Sequence, residues 1–234
     1  GKNVPISLKI FLTALAVIDD LGAILIIAIF YTKDLVWSNL LISLGIFVIL
    51  LIMNRLKVRN LIPYLTLGVV MWYFMLNSGI HATISGVLLA FAIPVSDESG
   101  SKSPANRLQR MLHYPVPFII LPLFALVNTA IPIGTDWATS LLEPASLGII
   151  LGLVLGKPLG IFLFSWLSIR LKLAEKPKGT TWNQLFGVGI LGGIGFTMSI
   201  FVTILAFNDP HVITHSKFAI LMSSLLAGLI GFTW

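Results

Sequence analysis

The sequence predicts an all-α, polytopic membrane protein: a helical bundle with one discontinuous helix. Three observations carry that prediction. Of 234 residues, 57% are hydrophobic and 10% charged, where a soluble domain carries roughly 25% charge. Mean hydropathy is +0.99. Apolar runs of membrane-crossing length recur along the chain, and the basic residues bunch between them. A net charge of +6 would hint at nucleic acid in a soluble protein. Here the cations flank apolar runs and read as topology signals, so the lipid bilayer, not nucleic acid, is the expected partner. The absence of cysteine excludes disulfides and thiolate metal sites.

Eight spans are expected within a single transmembrane domain, at about 8–31, 35–53, 61–77, 80–95, 115–132, 146–169, 183–207 and 212–234. The second ends on the basic cluster Arg55, Lys57, Arg59. Asn77-Ser78-Gly79 makes a tight hairpin between the third and fourth. A polar loop from Ser96 to Arg110 follows the fourth, and a basic loop around Arg170 to Lys178 follows the sixth. Alternating these spans sorts the cations. Lys2, Lys9, Arg55, Lys57, Arg59, Lys102, Arg107, Arg110, Arg170, Lys172, Lys176 and Lys178 fall on one side; Lys33 and Lys217 fall on the other. Positive charge marks the cytoplasm, so both ends of the chain are expected there. The chain begins with Gly and no secretory signal precedes its first span, so a piece of a longer protein is expected.

The first span holds two adjacent carboxylates, Asp19 and Asp20, in a run otherwise almost wholly apolar from Ile10 to Tyr31. A charge at mid-bilayer costs at least ~2.5–3.5 kcal/mol, so such residues default to proton or cation sites. Asp19 lies eleven positions from Leu8 and twelve from Tyr31, near the midplane. Thr13, Ala16, Asp20 and Ala23 follow one helical stripe, and Asp19 flanks it. The small neighbours leave room for water, an ion or another backbone. A charge neutralised for packing alone is the alternative.

Lys157 sits at the same depth in the sixth span, among Gly148, Gly152, Gly156 and Gly160, a small-residue face suited to close backbone approach. Three ionisable groups of opposite sign at one depth invite a pair. That pair is either a static bridge between helices or a switch that releases a proton when a cation takes the carboxylate. The seventh span carries Gly187, Gly189, Gly192, Gly193 and Gly195, five glycines in nine residues. Each costs roughly 1 kcal/mol against Ala in a helix. Broken helices of this kind present carbonyls and helix ends to ions in transporters; ordinary packing through Gly189 and Gly193 is the alternative. His81, opening the fourth span, is either a pH-sensitive group or a helix-end hydrogen-bonding residue. His113, His211 and His215 are expected to be solvated. No glycine loop ahead of a lysine suggests ATP-driven pumping, and no hydrolase spacing is present, so enzymatic activity is not expected.

Four stretches resemble the bacterial NhaA-type sodium/proton antiporters: Ala14 to Ala23, Ser78-Gly79-Ile80-His81-Ala82-Thr83, Gly156-Lys157-Pro158-Leu159-Gly160, and Gly192 to Phe201. The resemblance extends over essentially the whole chain. It implies part of an inverted-repeat transporter fold, with these eight spans as the fifth to twelfth of twelve and the N-terminal four spans lacking. It implies that Asp20 is the principal Na⁺/Li⁺ and proton ligand, that Asp19 pairs with Lys157, and that His81 contributes to the pH response. Glu98 and Arg107 are expected to keep part of that response, although Gln109 and Arg110 stand where better-known members have Glu and His. The expected activity is electrogenic, pH-regulated exchange of cytoplasmic Na⁺ or Li⁺ for external protons across the inner membrane. It needs no cofactor beyond the transported ions. A homodimer is an expectation for the full-length protein, because family members dimerise through an early hairpin outside these spans. A proton-coupled transporter of another small solute is the alternative reading, and an inactive fragment of the antiporter is the other.

Overall fold

The computed structural model describes residues 4–31, 35–95, 103–131 and 137–234. Every regular element among them is helical: α1 (Ile6–Phe30), α2 (Trp37–Arg55), α3 (Leu61–Leu76), α4 (Thr83–Ala92), α5 (Pro104–Leu112), α6 (Leu121–Asn128), α7 (Trp137–Ser140), α8 (Pro144–Leu151), α9 (Lys157–Arg170), α10 (Trp182–Gly192), α11 (Phe196–Ala206) and α12 (Pro210–Thr233). Among the described residues, five runs are long and apolar enough to cross a membrane: Ile6–Phe30, Trp37–Arg55, Pro104–Asn128, Pro144–Arg170 and Pro210–Thr233. The α10–α11 pair, bent by 44°, makes a sixth if taken as one span. The protein is an all-α, multi-pass membrane protein. Residues 104–110, expected as loop, are helical instead: Ser103 caps α5 by accepting from the Asn106 N–H at 3.2 Å, and Pro104 supplies the first-turn geometry.

The chain forms two compact units, Gly1–Ala23 with Asn128–Trp234, and Ile24–Val127. In the second, Asn39, Ser43, Ile46, Leu50 and Asn54 fall on one face of α2 at spacings of three and four. Ile46 and Leu50 join Leu61, Tyr64, Met71 and Ala92 in a core. The polar members of that face tie helices through backbone carbonyls. Asn39 donates to Asn77 at 2.8 Å, Ser43 to Met71 at 3.2 Å and Asn54 to Ala92 at 2.8 Å. In an apolar solvent such bonds replace lost water. The α3–α4 turn passes through Gly79 at φ 89°, a left-handed conformation that glycine adopts without strain.

In the first unit, Leu8 packs on Leu185 and Val188 of α10, with Phe11, Leu12 and Leu15 flanking. Spacings of three and four place those α1 residues on one stripe. α10 starts with a reciprocal cap: Thr181 Oγ1 accepts from the Gln184 N–H and Gln184 Oε1 accepts from the Thr181 N–H. Phe162 meets Phe186 edge-on and Phe186 meets Trp234 at a tilt, each at a 5.4 Å centroid spacing, joining α9, α10 and the end of α12. Between α8 and α9 the helix widens to a π turn over Gly152–Gly156, directly before Lys157 and Pro158. Pro158 cannot donate to the carbonyl one α-turn back, and a widened turn relieves the clash its ring would cause there. Val116–Ile120, the other π turn described, has its proline, Pro117, inside the turn.

Candidate functional site: an ion pair in an apolar cleft

α1 and the α8–α9 run each deliver one charge to the same place. Lys157 Nζ donates to Asp19 Oδ2 at 2.5 Å, across 138 residues of sequence. The lysine side chain is 25% exposed and the aspartate 45%, so the pair is half-covered. Both residues line a cleft of about 460 Å³ with Ala23, Gly152, Gly195, Ser199 and Thr203. The rest of the lining is apolar, including Ile149, Leu153, Met198, Val202 and Ile220. Helical spacing explains the assembly: Asp19 and Ala23 are one turn apart on α1, and Ser199 and Thr203 one turn apart on α11. A carboxylate, an ammonium and two hydroxyl-bearing side chains in apolar walls can hold a hard cation or a proton, not a soft metal.

The break between α10 and α11 forms one wall. Gly193 closes α10 at φ −66° and Gly195 precedes α11 at φ −110°. Neither angle demands glycine. Space does. A Cβ on Gly193 would stand 2.5 Å from the Leu153 carbonyl oxygen, and one on Gly195 would stand 2.6 Å from Ser199 Oγ. A Cβ on Gly189 would stand 3.0 Å from the Pro158 carbonyl oxygen, and one on Gly192 would stand 2.7 Å from Ile161 Cδ1. The last turn of α10 is tightened by Gly193 N–H to Ile190 and Ile194 N–H to Leu191 bonds, at 2.9 and 3.1 Å. The expected small-residue face on the sixth span differs. A Cβ at Gly148, Gly152 or Gly160 would meet nothing within 4 Å among the described residues. The close approach runs the other way, with glycines of α10 seated on the backbone of the α8–α9 run.

Asp20 is exposed, one position and about 100° round α1 from Asp19. It is outside the set of residues that line the cleft. His81 is half-buried in the turn before α4 and belongs to the other unit. Arg107 is exposed on α5. Glu98 lies outside the described residues. Thr203, buried at 5% exposure, and the apolar liners Leu153 and Ile149 escaped the sequence reading. The signal for Thr203 was its one-turn spacing from Ser199. The expectation of solvation fails for His215, whose side chain is 14% exposed and lies 3.0 Å from Glu143 Oε1.

The sequence has relatives. A Na⁺/H⁺ antiporter NhaA of Flavobacterium psychrophilum is 62% identical over 232 residues, covering 99% of this chain and 60% of the relative. One of Dechloromonas aromatica is 56% identical, covering all of this chain and 61% of the relative. One of Escherichia coli is 49% identical over 236 residues, with 61% of the relative covered. The chain therefore spans about 60% of the length of the curated relatives it matches. The sequence model of the family described as Na⁺/H⁺ antiporter 1 matches residues 1–234. With the match running from the first residue to the last, through both partners of the ion pair and the glycine break, the chain belongs to the Na⁺/H⁺ antiporter 1 family.

Proposed function

We propose that the complete protein is a secondary active antiporter of the bacterial inner membrane, exchanging cytoplasmic Na⁺ or Li⁺ for external protons by alternating access. The Asp19–Lys157 pair, 2.5 Å apart in a mostly apolar cleft, carries the reading. Charges at that depth are costly and imply a role. Asp20 is the exchanging carboxylate: Na⁺ and H⁺ compete for it, so loading one requires losing the other. Asp19 and Lys157 hold a compensating charge beside it. Ser199 and Thr203 line the cleft with Asp19 and not with Asp20; their hydroxyls are oxygen donors of the kind a hard cation accepts. α10 and α11 are the two halves of one discontinuous span, belonging to an inverted-repeat architecture. Exchange is electrogenic and pH-regulated, with His81, Glu98 and Arg107 contributing to the pH response. Eight spans with both ends cytoplasmic agree with the distribution of basic residues.

The test is reconstitution of the full-length protein in liposomes enclosing a pH-sensitive dye, with Na⁺, Li⁺, K⁺ or no salt added outside. Proton movement evoked by Na⁺ or Li⁺ and not by K⁺ is expected. Movement that requires an organic solute instead would replace this reading with proton-coupled transport of that solute.

A further inference from the structure

A second constellation lies away from the cleft, where α8 and α12 begin. Asp209 caps α12 by accepting from the His211 N–H at 2.9 Å, which fixes the first turn. His211 and His215, four positions apart, therefore share a face, and their ring centroids are 3.9 Å apart. Glu143, the residue before α8, reaches the same spot with Oε1 3.0 Å from His215 Nδ1. One ligand atom from each of the three lies within 4.8 Å of the others.

His215 makes the cluster unusual. Its Nδ1 is buried and, among the described residues, makes no hydrogen bond, although Glu143 Oε1 stands 3.0 Å away. A buried polar atom normally finds a partner. Two ligand atoms on one tetrahedral zinc, each ~2.0–2.1 Å from the metal, stand about 3.3 Å apart. The observed nitrogen–oxygen separation is close to that value. Two histidines one helical turn apart are a recurrent zinc-binding pair. Two imidazoles and one carboxylate suit zinc-class ions and not Mg²⁺ or Ca²⁺, which take oxygen donors.

We propose that Glu143, His211 and His215 form a binding site for a zinc-class divalent cation, with a fourth position open to water. The ion bridges the entry of α8 to the entry of α12. Because the α8–α9 run carries Lys157, occupancy anchors the far end of the helical run that forms the ion pair. No residue of this site belongs to the cleft.

The experiment uses the full-length protein in detergent, its affinity tag removed, titrated with ZnCl₂ against a chromophoric indicator. Tight binding in the wild type is expected, unaffected by equal Mg²⁺ or Ca²⁺. His211→Ala, His215→Ala and Glu143→Gln each weaken it by about tenfold or more, the scale on which even supporting partners matter in metal sites. Co²⁺ provides a readout independent of any variant: the wild type acquires the intense visible bands of a tetrahedral nitrogen–oxygen site. Equal zinc affinity in the wild type and a His211→Ala/His215→Ala double variant overturns the proposal, as does Co²⁺ binding without those bands.

Discussion

Asp19 keeps 45% of its side chain exposed while holding Lys157 at 2.5 Å, which sets the scale of what the pair contributes. Within membrane spans the uncovered part does not face bulk water, so the small, water-screened value of a surface bridge does not apply. Stranding one charge in an apolar wall costs more than the bridge gains. Lys157→Ala is therefore expected to lower stability more than the double variant Lys157→Ala/Asp19→Asn does, relative to the wild type. Equilibrium unfolding in mixed micelles around that double-mutant cycle measures the coupling; additive effects would show that the contact is not made. The two charges were legible in the sequence because a charged residue in a long apolar run stands out by its insertion cost alone. Thr203 was not. A threonine in a membrane helix is ordinary, satisfying its hydroxyl on its own turn as Thr13 does on Lys9. His215 and Glu143 were hidden for another reason, since 72 residues separate two groups that meet at 3.0 Å.

At the scale of elements, α10 and α11 meet at a 44° bend in a glycine-dense stretch, and glycine is required there by space and not by backbone angle. Gly193→Ala is expected to destabilise the protein by about 1–3 kcal/mol, because the Leu153 backbone 2.5 Å away cannot turn aside as a side chain could. Gly148→Ala is expected to be neutral or mildly stabilising, with open space round it and helix propensity in its favour. Thermal unfolding of the two variants in one detergent separates them; equal losses would contradict the packing described for α10. The glycines of the sixth span show the limit of a spacing argument. Four residues at every fourth position predict a groove in a regular helix, but the π turn at Gly152–Gly156 shifts the phase halfway along. Short-range pattern likewise missed α5, whose polar residues read as loop although Ser103 and Pro104 at its start are strong initiation signals.

For the whole molecule, hydropathy made the membrane class and the helical elements readable, since burial in lipid leaves a simple compositional mark. Span count is a different matter, because α3 and α4, at 16 and 10 residues, are short for a crossing. The eight-span arrangement rests on charge, and the absence of cysteine from these 234 residues makes it testable in a full-length protein whose cysteines elsewhere, if any, are replaced. A cysteine introduced as Asn208→Cys is expected to react with an impermeant maleimide added to intact cells. One introduced as Glu175→Cys is expected to react only after the membrane is opened. The reverse pattern would contradict the topology. The central claim is that a carboxylate on α1 is where sodium and protons exchange. It is tested most directly by full-length wild type and Asp20→Asn side by side in inside-out vesicles, following a pH-sensitive dye as Na⁺ is added. Sodium-evoked proton movement in the wild type and none in Asp20→Asn, with equal protein in the membrane, is the predicted result. Full exchange retained by Asp20→Asn would contradict it.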